Sequence, residues 1–199
     1  MDEGARIAEA ARFARMMEDG AVLRQRLAVE AAGIVVEIVG VCERALRAGG
    51  RLFFCGNGGS AADAQHLATE LLVRLRGSVE RPSWPALALT LDAAAMSAAG
   101  NDYGFDEVFA RPLSGLGHPG DVLFAITTSG RSRNVLRALE VARGIGIATV
   151  GFLGGEGGPA RGLCDHALIV PHTETARIQE AHIALGHAIL ELLEDRLVI

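Results

Sequence analysis

The chain has no lysine. All 19 of its basic residues are arginine and they face 24 acidic ones, so the formal net charge is −5. A surface that holds nucleic acid through its phosphates needs a basic excess, and no nucleic-acid partner is expected here. Aromatic residues are scarce, at 5%. The three cysteines, Cys42, Cys55 and Cys164, are far apart and form no CxxC pair. That excludes a disulfide framework or a zinc knuckle and fits a reducing, cytoplasmic setting. Long apolar runs are also missing. Stretches such as Leu52 to Cys55 and Val122 to Ile126 fall far short of the ~20 residues of a spanning helix, so no membrane partner is expected. The opening residues do not read as a signal peptide, because Asp2, Glu3, Arg6, Glu9, Arg12 and Arg15 interrupt them.

Half of the residues are hydrophobic and 25 are glycine. A chain of 199 residues with this composition is not disordered and suits one domain with a buried core. Apolar spacing of three and four predicts helices over 2–17 and 21–48, and Gly49-Gly50 stops the second. A different rhythm follows. Consecutive apolar runs at Arg51–Cys55, Pro85–Leu91, Asp121–Ile126, Ile147–Phe152 and His166–Val170 have the pattern of strands covered on both faces. Helices are expected between and after them, over 60–75, 92–99, 105–116, 132–144 and 174–197, with a glycine-rich loop from Gly154 to Gly162. The expected fold class is α/β, a five-stranded parallel sheet flanked by helices. Residues 1–48 read as a helical extension that serves oligomerisation, and 49–199 as the domain proper.

In open parallel sheets ligands bind at the carboxyl ends of strands. After the first expected strand comes Gly56-Asn57-Gly58-Gly59-Ser60. Glycines permit a tight turn there, and the helix that follows offers free N–H groups to an anion. A plain turn capped by Ser60 is the alternative, and Gly56-x-Gly58-x-x-Ala61 also comes near a dinucleotide fingerprint. After the third strand comes Thr127-Thr128-Ser129-Gly130-Arg131-Ser132. Capping needs one hydroxyl and four are present, which favours a phosphate cradle. Asp92 and the segment Asn101-Asp102-Tyr103-Gly104, placed beyond a short helix, are candidates of lower rank, because Asn and Asp serve turns. A nucleotide-binding oxidoreductase would use Asp92 on a ribose, but it leaves Thr127 to Ser132 without a task.

His66 and Glu70 are four apart and share a helix face. Such a pair can ligate a divalent metal, act as acid and base, or be merely structural. The last helix carries Gln179, Glu180, His182 and His187 among apolar neighbours, and His182 reads as a structural histidine.

Together the Gly56–Ser60 loop, Asp63-Ala64-Gln65-His66, Thr128-Ser129-Gly130 and Ala176-Arg177-Ile178-Gln179-Glu180-x-His182 resemble the phosphoheptose isomerases, members of the sugar isomerase (SIS) domain proteins. The resemblance covers nearly the whole chain and rests on four motifs in order. It implies a single SIS domain and conversion of sedoheptulose 7-phosphate to D-glycero-D-manno-heptose 7-phosphate through an enediol. That product feeds ADP- or GDP-heptose and surface glycans such as lipopolysaccharide. The resemblance further implies Glu70 and His187 as the catalytic pair. It implies one zinc per site on His66, Glu70, Gln179 and His187. Sugar-phosphate contacts fall on Asn57, Gly58, Gly59, Ser60, Asn101, Asp102, Thr127, Thr128, Ser129, Ser132 and Gln179. A homotetramer is implied as well. Ala176 departs from the pattern, since some family members carry an acidic residue there. A non-catalytic SIS paralogue that binds the bacterial replication initiator is also similar, in Arg177-Ile178-Gln179-Glu180 and Leu116-Gly117-His118. That group lacks the acid/base and metal pair, which this chain keeps.

Gln179 and His187 are eight residues apart, about 12 Å along a helix and about 80° around it. One straight helix does not bring both onto one ion, so a site shared between subunits is expected.

Overall fold

The computed structural model describes residues 2–90 and 92–198. Among these residues the sheet has five parallel strands in the order β2-β1-β3-β4-β5. They are β1 (Leu52–Gly56), β2 (Ala86–Ala88), β3 (Val122–Thr127), β4 (Ala148–Gly154) and β5 (His166–Val170). The expected strand Pro85–Leu91 shrinks to three paired residues, and Leu91 lies outside the described residues. β1 and β3 are buried along their whole length. β2 is added outside β1, and β4 and β5 outside β3, on the opposite side of the sheet, so the crevice between the ends of β1 and β3 is the switch point where such folds bind ligands.

Among the described residues seven α-helices surround the sheet: α1 (Glu3–Glu30), α2 (Ala32–Arg47), α3 (Gly59–Leu72), α4 (Ala93–Tyr103), α5 (Ala110–Leu116), α6 (Arg133–Gly144) and α7 (Thr175–Val198). One core packs Phe54, Phe124 and Phe152 against α2, α3 and α7. The other packs Phe53, Leu123 and Leu153 against α5, α6 and the end of α4. The phenylalanines of the first core meet along the sheet, Phe54 stacked on Phe124 at 4.8 Å and Phe152 edge-on to Phe124 at 5.6 Å. The three cysteines are free, and burial pushes each thiol up to about 12. Among the described residues no helix is long and apolar enough to cross a membrane.

Several expected boundaries move for identifiable reasons. The first helix does not stop at 17 but continues to Glu30. Gly20 is no break: it is buried, and a Cβ there would stand 3.3 Å from Glu180 Oε2. Glycine suits this close passage of α7, and the helix absorbs its cost. α2 packs on the sheet, with Ile38, Val39 and Cys42 fully buried in the first core. α3 ends at Leu72, three residues early, where the Arg81 side chain takes the carbonyls of Glu70 and Leu71. α4 extends to Tyr103 before Gly104 turns at φ 91°, so Asn101 and Asp102 lie in its last turn rather than beyond it. The single helix expected over 105–116 is a 3₁₀ turn (Phe105–Glu107) followed by α5. Pro112 decides this. It lacks an N–H and is tolerated only in a first turn, which the start at Ala110 provides. The loop Gly154–Gly162 holds the start of a 3₁₀ helix, Pro159–Leu163.

His182 is completely buried beside Phe152, with ring centroids 5.7 Å apart, and neither ring nitrogen has a hydrogen-bond partner among the described residues. Burial lowers its pKa to about 4, and the Leu153 main chain opposes the shift without a well-formed hydrogen bond. The unfolded chain therefore binds this proton more tightly between pH 6.5 and 4. The stability held by neutral His182 is complete above pH 6.5 and is lost as pH falls toward 4, by about 3 kcal/mol in all. His182→Met should flatten that part of the pH dependence. Denaturant titrations at pH 7 and pH 4.5 check it, and equal losses in parent and variant would remove His182 from the acid response.

Candidate active site

The two loops at the switch point form one cavity of about 290 Å³. In the first, Gly58 adopts φ 57° and starts α3 without any side-chain cap, so Ser60 is not a capping residue. In the second, the Thr127 hydroxyl accepts from the Gly130 N–H at 3.2 Å and lies 3.3 Å from the Ser132 hydroxyl. Ser132 stands at the N-terminus of α6 without capping it. Gly130 has φ 63°, and a Cβ there would meet the Gly157 carbonyl oxygen at 1.9 Å, so this turn requires glycine. Two helix N-termini thus converge on a hydroxyl-lined cavity suited to an anion.

Asn57, Gly58, Gly59, Ser60, Thr127, Thr128, Ser132 and Gln179 line that cavity, together with Thr175 and Ile126. Ser129 opens onto the adjoining groove with Thr128 and Thr175, and its hydroxyl accepts from the Arg131 N–H. Asn101 and Asp102 are exposed on α4, bonded to each other at 2.7 Å, and in one chain they stand outside the cavity. Asp92 is the N-cap of α4 and accepts from Ala95 N–H at 2.9 Å. That role accounts for it without a nucleotide.

α3 and α7 lie side by side and run parallel. Gly59 faces Gln179, whose amide would be 2.5 Å from a Cβ at Gly59, and seven residues on, Gly186 faces Leu67 at 2.7 Å by the same measure. This approach brings His187 to His66, with their Nε2 atoms 2.7 Å apart, while Glu70 Oε1 is 3.3 Å from His66 Nε2. Donor atoms of His66, Glu70 and His187 all lie within 4.8 Å of one another. Two imidazoles and a carboxylate with a fourth side open match the donor chemistry of catalytic zinc. Tetrahedral donors about 2.0–2.2 Å from zinc stand roughly 3.3–3.6 Å from one another, so the three residues fit such an ion with small shifts. Gln179 does not join them in this chain. It stays at Gly59, two turns back along α7.

The sequence alone missed Asn134 and Arg81. Asn134 is 2% exposed and exchanges two hydrogen bonds with Asn57, at 2.8 and 2.9 Å. That reciprocal pair locks the first loop to α6 and engages both ends of the Asn57 amide. The available signal was a polar residue on the apolar face of Ala138, Leu139 and Ala142.

The SIS domain family profile matches residues 15–154. The phosphoheptose isomerase of Chlorobaculum parvum is 49% identical over 174 residues, covering 87% of this chain and 83% of that protein. That of Rhodospirillum rubrum is 50% identical over 168 residues, 84% and 88% of the two chains. Among solved structures, the Neisseria gonorrhoeae phosphoheptose isomerase aligns at TM-score 0.88 with 37% identity, covering 94% of this chain and 98% of that one. The Francisella tularensis enzyme aligns at 0.90 with 33% identity and the same coverage. The chain belongs to the SIS domain family, whose sheet and switch-point loops it carries. Within that family it stands with the phosphoheptose isomerases, and it is an isomerase.

Asn134→Ala leaves the Asn57 amide without its partner. It should destabilise the fold by about 1–3 kcal/mol and speed hydrogen exchange at the amides of residues 57–60. Denaturation and exchange measured together check this, and parental protection in those amides would free Asn134 from the role.

Proposed function

We propose that the chain interconverts sedoheptulose 7-phosphate and D-glycero-D-manno-heptose 7-phosphate in the cytoplasm, on the route to ADP- or GDP-heptose and surface glycans such as lipopolysaccharide. The observation that carries the reading is the meeting of Glu70 with His66 and His187, on helices whose other ends frame the anion cavity. The Thr127–Ser132 hydroxyls and the α3 and α6 N-termini hold the phosphate. The Glu70 carboxylate takes a proton from the C1 carbon of the ketose, and the electron pair moves to give a cis-enediol(ate). The His187 imidazole moves a proton between the two adjacent oxygens, and Glu70 returns its proton to C2. His66, Glu70, His187 and a Gln179 would hold zinc, which supplies positive charge beside the developing oxyanion. A carboxylate on a metal is a weaker base, so the two roles of Glu70 compete.

The reading includes a homotetramer with sites shared between chains. Along α3, Gly59 and Glu70 are eleven residues apart, about 16 Å of helix axis. Seven bonds separate C2 from phosphorus in the substrate, a reach of roughly 8–9 Å at about 1.2 Å per bond. One chain's cradle is thus too far from its own acid/base cluster. A cradle with Gln179 from one chain, facing His66, Glu70 and His187 from another, satisfies both lengths. The first half of α1 supports assembly, with Ile7 65% and Phe13 63% exposed. The segment 1–48 accordingly serves oligomerisation through α1, and residues 49–199 carry the chemistry.

Incubation with sedoheptulose 7-phosphate should yield an aldoheptose phosphate. Glu70→Gln should still bind the sugar phosphate but abolish turnover and solvent deuterium exchange at the reacting carbon, and substantial turnover would take the base role from Glu70. Sharing is tested by exchanging subunits between inactive variants. Gln179→Ala mixed with Glu70→Gln should regain activity, whereas Glu70→Gln mixed with His187→Ala should stay inactive. Mixed oligomers with the opposite pattern refute the arrangement.

A further inference from the structure

Arg81 lies in the segment between α3 and β2, and its side chain is 1% exposed. Its Nε donates to Glu194 Oε1 on α7 at 2.7 Å, and the Glu194 side chain is equally buried. Its Nη2 donates to the carbonyl oxygen of Glu70 at 2.5 Å, and its Nη1 to the carbonyls of Leu71 at 2.9 Å and Pro82 at 3.0 Å. The guanidinium lies 4.0 Å from the centroid of the Trp84 ring, and the Trp84 main-chain N–H donates to the Leu71 carbonyl. Arg76 takes the second oxygen of Glu194.

The last carbonyls of a helix have no partner within it. Here one of those carbonyls belongs to Glu70 itself. Glu194, in turn, is seven residues beyond His187, within about 20° of the same helix face. One planar fork therefore grips the backbone of Glu70 and the helix of His187 at once. A buried ion pair is weak evidence for stability, since apolar replacement of both partners is often neutral. Its placement asks for another explanation.

We propose that Arg81, paired with Glu194, is a positioning residue that sets the spacing of Glu70 and His66 against His187. This rests on the functional reading above, in which that cluster holds zinc and moves the proton. The fork fixes the end of α3 on α7, while the phosphate cradle at the start of α3 is held separately by Asn57 and Asn134. Loss of the fork loosens the cluster and spares the cradle.

The test is the double variant Arg81→Met with Glu194→Leu, which leaves no unpaired buried charge. It should melt within a few degrees of the parent and keep KM for sedoheptulose 7-phosphate. Its kcat should fall about 10–100-fold, and its affinity for Zn²⁺ alone, read by competition with a coloured chelator, should fall by a similar factor. A folded double variant with parental kcat and zinc affinity overturns the proposal. Arg81→Lys keeps the charge but not the fork, and should show the same split to a smaller degree. If the double variant does not fold, Arg81→Lys decides, and parental kcat and zinc affinity in it overturn the proposal. A parent protein that neither binds zinc nor turns over the sugar phosphate overturns the underlying reading, and this inference with it.

Discussion

The contact between α3 and α7 is the constraint on which the rest depends. Two helices approach this closely only where side chains vanish, and Gly59 and Gly186 remove one at each end of the contact. Between them Leu67 fills the space that Gly186 leaves, and the first core closes around Ala64, Ala68 and Ile189. The approach carries both functional regions, because Gln179 reaches the glycine loop at one end and His187 reaches His66 at the other. Packing and chemistry are therefore not separable here: the same close fit that buries apolar surface sets the distances between donor atoms.

The sheet supplies the second condition. Parallel strands need both faces covered, and the two cores do so with α2, α3 and α7 on one side and α5 and α6 on the other. Adjacent β1 and β3 then release their loops into one crevice. Neither loop makes the cavity alone. Thr127 and Ser132 provide hydroxyls, the Gly58 turn provides an open helix N-terminus, and the Asn57–Asn134 amide pair holds the two at a fixed separation.

Much of this was legible along the chain, for a physical reason. Strand runs, the Gly49-Gly50 stop, the glycine loop, the hydroxyl loop and the His66–Glu70 pair are all local patterns, written within a few residues. What the sequence hid depends on partners far away in the chain. The continuity of α1 through Gly20 was hidden, because the neighbour of Gly20, Glu180 on α7, is 160 residues distant. The reason for a polar Asn134 on an apolar helix face is Asn57, 77 residues away in the chain. Arg81 belongs to no local pattern, and only the fold shows it closing the end of α3. Strand order, which creates the crevice, was not written in any single segment either.

The paired offsets along α3 and α7 bear on how such a chain can change over generations. Gly59 with Gln179, and Leu67 with Gly186, keep nearly the same separation in numbering. Substitutions at solvent-facing positions of either helix leave that alignment alone. An insertion or deletion of one residue between Gln179 and His187 does not, because everything beyond it turns by about 100° and shifts by about 1.5 Å. His187, Gly186 and Glu194 would all leave their partners together, while Gln179 stayed in place. The segment is open to changes of letter and closed to changes of length, so drift in loop lengths is confined to connections that hold no such contact.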